Sequence, residues 1–202
     1  MLDVEGYILV GGESSRMGKD KSELRFGGRT SVELIAVALQ DVTRSVRTVG
    51  SRASSKVSLP NIPDLRENWG PLAGIQAALR YSISDYCIIV ACDLPFVTSS
   101  LFKRLFRRIE QADAVVPLQS DGRPQPLCGI YRRATCLPAA ERGIANREHS
   151  PRALLDQVQT LYLPFNELSD IEGSEHFFFN VNTPDNYARA QQIFTSINGR
   201  TR

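Results

Sequence analysis

The chain has 202 residues, 42% hydrophobic and 23% charged, with a formal net charge of +2. That length suits one substantial domain, the composition is that of a soluble globular protein, and the charge is too small to argue for nucleic acid or a membrane surface as a partner. No run approaches the ~18 apolar residues of a membrane span, and Met1-Leu2-Asp3-Val4-Glu5 lacks the basic-then-apolar order of a secretion signal.

Strand-like and helix-like segments alternate along the chain. Tyr7 to Val10 reads as a buried strand, and Thr30 to Gln40 as a helix with Val32, Ile35, Ala36 and Leu39 on one face. Val46 to Val49 is a second strand. The polar stretch GSRASSK leads to a short extended piece around Val57 to Pro63. Gly70-Pro71 opens a helix to about Tyr81, since proline tolerates the first helical turn. YCIIVA, Tyr86 to Ala91, is the most apolar strand.

Thr98 or Ser99 can cap a helix from Leu101 to about Glu110, and Arg104, Arg107 and Arg108 read as its solvated face. Ala114 to Leu118 and Pro126 to Tyr131 are further strands, and QSDGRPQ between them has the chemistry of a hairpin or wide loop. Ser150-Pro151 starts a helix through about Val158. Leu161 to Phe165 and His176 to Val181 read as closing strands. Thr183-Pro184 starts the last helix, with Tyr187, Ala190 and Phe194 on its buried side.

This alternation predicts an α/β fold: a Rossmann-like three-layer sandwich around a mostly parallel sheet, one domain over residues 1–197, with a frayed tail at 198–202. Such sheets bind ligands beyond the carboxyl ends of their strands. Cys87, Cys92, Cys128 and Cys136 fit neither a zinc site nor a CxxC pair, and they point to a reducing, cytoplasmic setting. His149 and His176 are the only histidines, which excludes a centre with three or more histidine ligands.

The segment LVGGESSRMGKDK, Leu9 to Lys21, carries the chemistry. It is not a P-loop: five residues separate Gly12 from Gly18, and Asp20 stands where a serine or threonine should hold magnesium. Nor is it a dinucleotide fingerprint, because its glycines are adjacent. A plain turn remains open, although Arg16, Lys19 and Lys21 cluster behind the glycines. The other reading is a phosphate cradle. Bare backbone lets N–H groups approach anionic oxygens, Arg16 can fork two donors onto phosphate, and Lys21 supplies a mobile charge.

LVGGESSRMGKDK resembles the LAGGxSxRMGxDK signature of nucleotidyltransferases, in particular the molybdenum cofactor guanylyltransferases. GPLAGI from Gly70, CDLPF from Cys92, QPLCGIY from Gln125 and NVNTPDN from Asn180 match the family in the same order, so the resemblance spans residues 9 to 186. It implies an Mg²⁺-dependent transfer of GMP from GTP to the terminal phosphate of molybdopterin, releasing pyrophosphate. Molybdopterin cytidylyltransferases and other small-phosphate nucleotidyltransferases are the alternative within the class, modestly disfavoured by the paired glycines. A non-catalytic nucleotide-binding relative is the alternative outside it. Transient contact with proteins that receive the cofactor is a further expectation.

By resemblance, Arg16 and Lys21 hold the triphosphate, and Asp93 is the Mg²⁺ ligand at the end of the most apolar strand. Leu9, Val10, Gly11 and Gly12 lie along the nucleotide. Val10 stands where the family usually has alanine, and its methyl groups could press on the base or ribose. Gly70, Pro71 and Leu72 sit beside the base, Leu72 against its face, with Asp64 nearby. Arg123, Gln125, Pro126 and Asn180 face the second substrate. Asn182 either supplies an oxygen to the metal or caps the last helix. No protein nucleophile is required, because transfer to phosphorus needs positioning and cations above all.

Overall fold

The computed structural model describes residues 3–11, 24–50, 58–66 and 69–199. Its elements in chain order are β1 (Val4–Leu9), β2 (Arg25–Phe26), β3 (Arg29–Thr30), α1 (Ser31–Gln40), β4 (Val46–Val49), β5 (Asn61–Ile62), α2 (Pro71–Tyr81) and β6 (Tyr86–Ala91). There follow α3 (Ser99–Phe106), β7 (Ala114–Pro117), β8 (Cys128–Arg132), α4 (Arg133–Ala145), α5 (Arg152–Leu155), β9 (Thr160–Leu163) and α6 (Pro184–Gly199).

Among the described residues, seven strands form one sheet in the order β5-β4-β1-β6-β8-β7-β9. Pairing is parallel from β5 to β6 and between β7 and β9, while β8 runs antiparallel to both neighbours. The predicted mostly parallel sandwich is therefore the observed fold.

Side-chain alternation divides the core. On β6, Ile88 and Val90 join Val32, Ile35 and Leu39 of α1 and Phe102 and Leu105 of α3. Cys87 and Ile89 face the other way, onto Leu72, Ile75 and Leu79 of α2 and Ala139 and Ala140 of α4. Both faces are covered, which is why β6 reads as unbroken apolar sequence.

The order of connection matters for function. From β1 the chain crosses through α1 to β4 and on to β5, then returns through α2 to β6 on the other side of β1. The winding reverses between β1 and β6. At that point crossover loops diverge to opposite faces and leave a crevice outside the carboxyl ends of the two strands.

Several elements differ from expectation. Residues 176–181 form no ladder strand. Gly173 turns the chain in the left-handed region, and a single 3₁₀ turn spans Ser174–His176. The aromatic run suits a strand by propensity, but Phe177 fills the α1–α3 side of the core while Phe179 packs in a separate cluster with Phe26 and Phe96. Helix α4 is not expected from the sequence: Pro138 lies inside it, and proline ordinarily argues against a helix interior. The helix expected over 150–158 is the single turn α5, and the one expected over 101–110 starts at Ser99, capped by Thr98, and ends at Phe106. Arg104 of α3 and Arg108, two residues past its end, are not simply solvated. Arg104 makes paired hydrogen bonds to Asp170, and Arg108 reaches Glu167 at 2.6 Å. Helix α6 continues to Gly199, beyond the expected boundary at 197.

Candidate functional site

Four strand ends meet at the crevice through backbone hydrogen bonds. Cys92 N–H donates to the Leu9 carbonyl, Val10 N–H to Val49, and Gly50 N–H to Ile62, at 3.1, 2.8 and 2.9 Å. Leu9 and Ala91 are paired in register, so Gly11 and Asp93 leave the sheet side by side. Gly11 is exposed with φ +125°, a conformation that suits glycine alone.

The turn carrying Asp93 is tied from three sides. Beyond the Cys92–Leu9 bond, the buried Ser31 hydroxyl at the start of α1 donates to the Cys92 carbonyl at 2.5 Å. Val181 N–H donates to the Asp93 carbonyl at 3.0 Å. Helix α1 is itself fixed by a capping box, in which Thr30 Oγ1 accepts from Glu33 N–H and the Glu33 carboxylate accepts from Thr30 N–H. The half-buried Asp93 thus sits on a rigid turn, and the Val181 bond brings the backbone before Asn182, 89 positions away, to the same turn. Thr183, not Asn182, caps α6: its hydroxyl accepts from Asn186 N–H at 3.1 Å.

Val10 departs from expectation. It is 4% exposed and belongs to the α1–α3 core, so its methyl groups point inward and not toward a base or ribose. The packing is possible because residue 50 is glycine: a Cβ there would lie 1.8 Å from the Val10 carbonyl oxygen, and Gly50 has φ +145°. Leu9 lies against Gly74 of α2, where an added Cβ would come within 3.1 Å of Leu9 Cδ1.

The turn before α2 is built from Gly70, with φ +97°, and Pro71 at the first helical position. Both are exposed. Leu72 is fully buried and packs on Gly143 of α4, so it has no surface to lay against a base; any base contact here falls to Gly70 and Pro71. Asp64, two residues beyond β5, stands half-buried at the same edge.

On the other side of β6, Ala91 N–H donates to the Leu127 carbonyl at 2.9 Å. This puts Gln125 and Pro126 beside the Asp93 turn. The hairpin between β7 and β8 extends from the same edge, closed by Gln119 N–H to the Arg123 carbonyl at 2.9 Å. Arg123 is exposed and folds back onto Asp121 at 2.6 Å, holding that carboxyl below its usual range; a phosphate arriving there would have to displace Asp121. Asn180 is exposed beside Val181. Gly12, Arg16 and Lys21 lie outside the described residues.

Two contributors are not among the residues expected from the sequence. Ser31 looks like an ordinary first-turn residue, and nothing local signals its bond to Cys92. The hairpin of β2 and β3 places Phe26 against Phe96, Tyr187 and Phe194, the cluster on which the CDLPF and NVNTPDN segments meet. Its turn glycines were the available signal.

The family model for the MobA-like NTP transferase domain matches residues 6–161. A probable molybdenum cofactor guanylyltransferase of Carboxydothermus hydrogenoformans is 32% identical, over 96% of this chain and 98% of its own length. One from Pelotomaculum thermopropionicum is also 32% identical, over 100% and 97%. Among solved structures, molybdopterin-guanine dinucleotide biosynthesis protein A from Archaeoglobus fulgidus superposes with a TM-score of 0.81 at 29% identity, covering 95% of this chain and 99% of that one. A 2-C-methyl-D-erythritol 4-phosphate cytidylyltransferase from Thermus thermophilus shares the fold, with a TM-score of 0.66 at 16% identity over 96% and 99%.

Proposed function

Because this chain belongs to the MobA-like NTP transferase family and is a nucleotidyltransferase, we propose that it transfers GMP from GTP to the terminal phosphate of molybdopterin. The attacking group is a phosphate oxygen of the acceptor. A bond forms from that oxygen to the α-phosphorus of GTP while the bond to the β-phosphate bridge breaks, and pyrophosphate leaves. The observation that supports the reading is that Gly11 and Asp93 leave β1 and β6 side by side, where the winding of the sheet reverses.

Two polyanions must be held in line, so charge cancellation and positioning make up most of the catalytic task. Arg16 and Lys21, following Gly11 and Gly12 in the sequence, would take the triphosphate. The backbone of Leu9 to Gly12 would run along the nucleotide, Asp64, Gly70 and Pro71 would border the base and ribose, and Arg123, Gln125, Pro126 and Asn180 would meet the acceptor. The donor chemistry at this turn suits magnesium: the Asp93 carboxylate is a hard oxygen donor, the Asn182 amide oxygen would be a second, and magnesium usually takes one or two carboxylates together with phosphate oxygens and water. Bound there, Mg²⁺ would supply positive charge to the α- and β-phosphate oxygens. Among the described residues no helix is long and apolar enough to cross a membrane. The four free cysteines are all buried, which supports a reducing, cytoplasmic setting.

The test is pyrophosphate release from GTP, CTP, ATP and UTP with molybdopterin and Mg²⁺. GTP should be preferred, and Asp93→Asn should lower turnover at least about a hundredfold, as loss of a charge-stabilising group does. Preference for CTP would overturn the choice of nucleotide. Undiminished turnover by the folded Asp93→Asn protein would overturn the role of the carboxylate.

A further inference from the structure

The turn before α2 is gripped by a loop from the far side of the chain. Helix α4 ends in a Schellman motif: Glu148 N–H donates to the Gly143 carbonyl at 2.9 Å, Arg147 N–H to Ile144 at 3.0 Å, and Arg147 takes φ +63° between them. That position ordinarily falls to glycine, and a side chain there is strained. Such strain persists where the surroundings over-determine the backbone.

Beyond Arg147 the loop closes on residues 69–72 through three hydrogen bonds. Trp69 Nε1–H donates to the Glu148 carbonyl at 2.9 Å. His149 Nδ1 lies 2.6 Å from the Trp69 carbonyl; a carbonyl only accepts, so Nδ1 carries the proton. Leu72 N–H donates to the His149 carbonyl at 3.2 Å. The rings of Trp69 and His149 pack with centroids 4.7 Å apart and planes tilted by 32°, and the Arg66 guanidinium lies 5.3 Å from the Trp69 ring centroid. A Cβ on Gly70 would come within 3.4 Å of the His149 carbonyl oxygen. Bonds therefore run in both directions between the two segments, and both ends of the Gly70-Pro71 turn are held.

We propose that Trp69 and His149 are positioning residues that set base selection, by holding the Gly70-Pro71 backbone in the one arrangement that meets the purine edge. The proposal rests on the reading that this turn borders the base. Loosening the clasp would leave the phosphate-binding parts of the site intact, because those belong to β1, β6 and their turns. Its effect should therefore fall on recognition of the base and spare the phosphates.

The experiment compares wild-type protein with His149→Ala and His149→Asn, titrating each with GTP, ATP and pyrophosphate in Mg²⁺ and recording thermal midpoints. His149 is exposed, so neither change threatens folding. His149→Ala should weaken GTP about tenfold, the scale of one well-placed hydrogen bond, and narrow the preference for GTP over ATP. Pyrophosphate affinity should hold, and the thermal midpoint should fall by no more than about 4 °C. His149→Asn, whose amide can still donate toward the Trp69 carbonyl, should recover most of the loss. Equal weakening of GTP and pyrophosphate would overturn the proposal, as would no weakening of either. Wild-type protein that binds no nucleoside triphosphate would sink the functional reading itself, whereas wild-type binding with an unresponsive His149→Ala sinks the clasp alone.

Discussion

Replacing Glu5 by glutamine should destabilise the fold by about 3 kcal/mol at pH 7, the cost of an uncompensated buried polar network. Glu5 is 3% exposed and lies at the amino-terminal end of the interior strand β1, away from the candidate site. Its carboxylate accepts five hydrogen bonds: one oxygen from Tyr7 at 3.0 Å, Ser82 at 2.7 Å and the Ile83 amide at 3.0 Å, the other from Ser45 at 2.9 Å and Arg47 at 2.5 Å. Glutamine keeps the shape, but its amide nitrogen must face donors on one side or the other, and Arg47 loses its counter-charge. Burial pushes the carboxyl upward, yet the bonds from Arg47, Ser82, the Ile83 amide and Ser45 outweigh it, and the pKa falls from 4.5 to about 2. A depression of that size corresponds to roughly 3 kcal/mol, in line with the bond count. Because the folded pKa lies below the unfolded one, this stability is complete above pH 4.5 and disappears as the pH falls toward 2. Urea unfolding of wild type and Glu5→Gln should show the gap at pH 7 shrinking to about half at pH 3. A gap under about 1 kcal/mol at pH 7, or one that does not change with pH, would refute the reasoning.

Two other substitutions test separate parts of the reading. Gly50→Ala should cost about 2–4 kcal/mol in urea unfolding, because its Cβ meets the Val10 carbonyl oxygen at 1.8 Å in a backbone conformation alanine resists; a loss below about 0.5 kcal/mol would contradict that contact. Lys21→Ala should weaken GTP binding about tenfold or more with an unchanged thermal midpoint, and an unaltered dissociation constant would remove Lys21 from the triphosphate site.

The strands flanking the crevice were legible because both faces of a parallel sheet are covered: Tyr86 to Ala91 reads as a continuous apolar run and is β6 to the residue. The places of Gly11 and Asp93, two residues past β1 and β6, were legible for the same reason. Features that depend on tertiary contact were not. The inward direction of Val10 is set by a glycine forty positions later, and the burial of Leu72 by Gly143. Pro138 concealed α4, and the aromatic run from Phe177 passed for a strand because strand propensity records fit to a packed surface, which two separate clusters supply equally well. The Trp69–His149 clasp joins residues 80 apart, with neither partner marked by a motif.

The most direct measurement is the structure of this protein crystallised with GTP and Mg²⁺. One continuous ligand density should be bounded by the Gly11 backbone, the Gly70-Pro71 turn and the Asp93 carboxylate, with the metal between Asp93 and the phosphates. A nucleotide seated away from the carboxyl ends of β1 and β6, or a metal held by other groups, would contradict it.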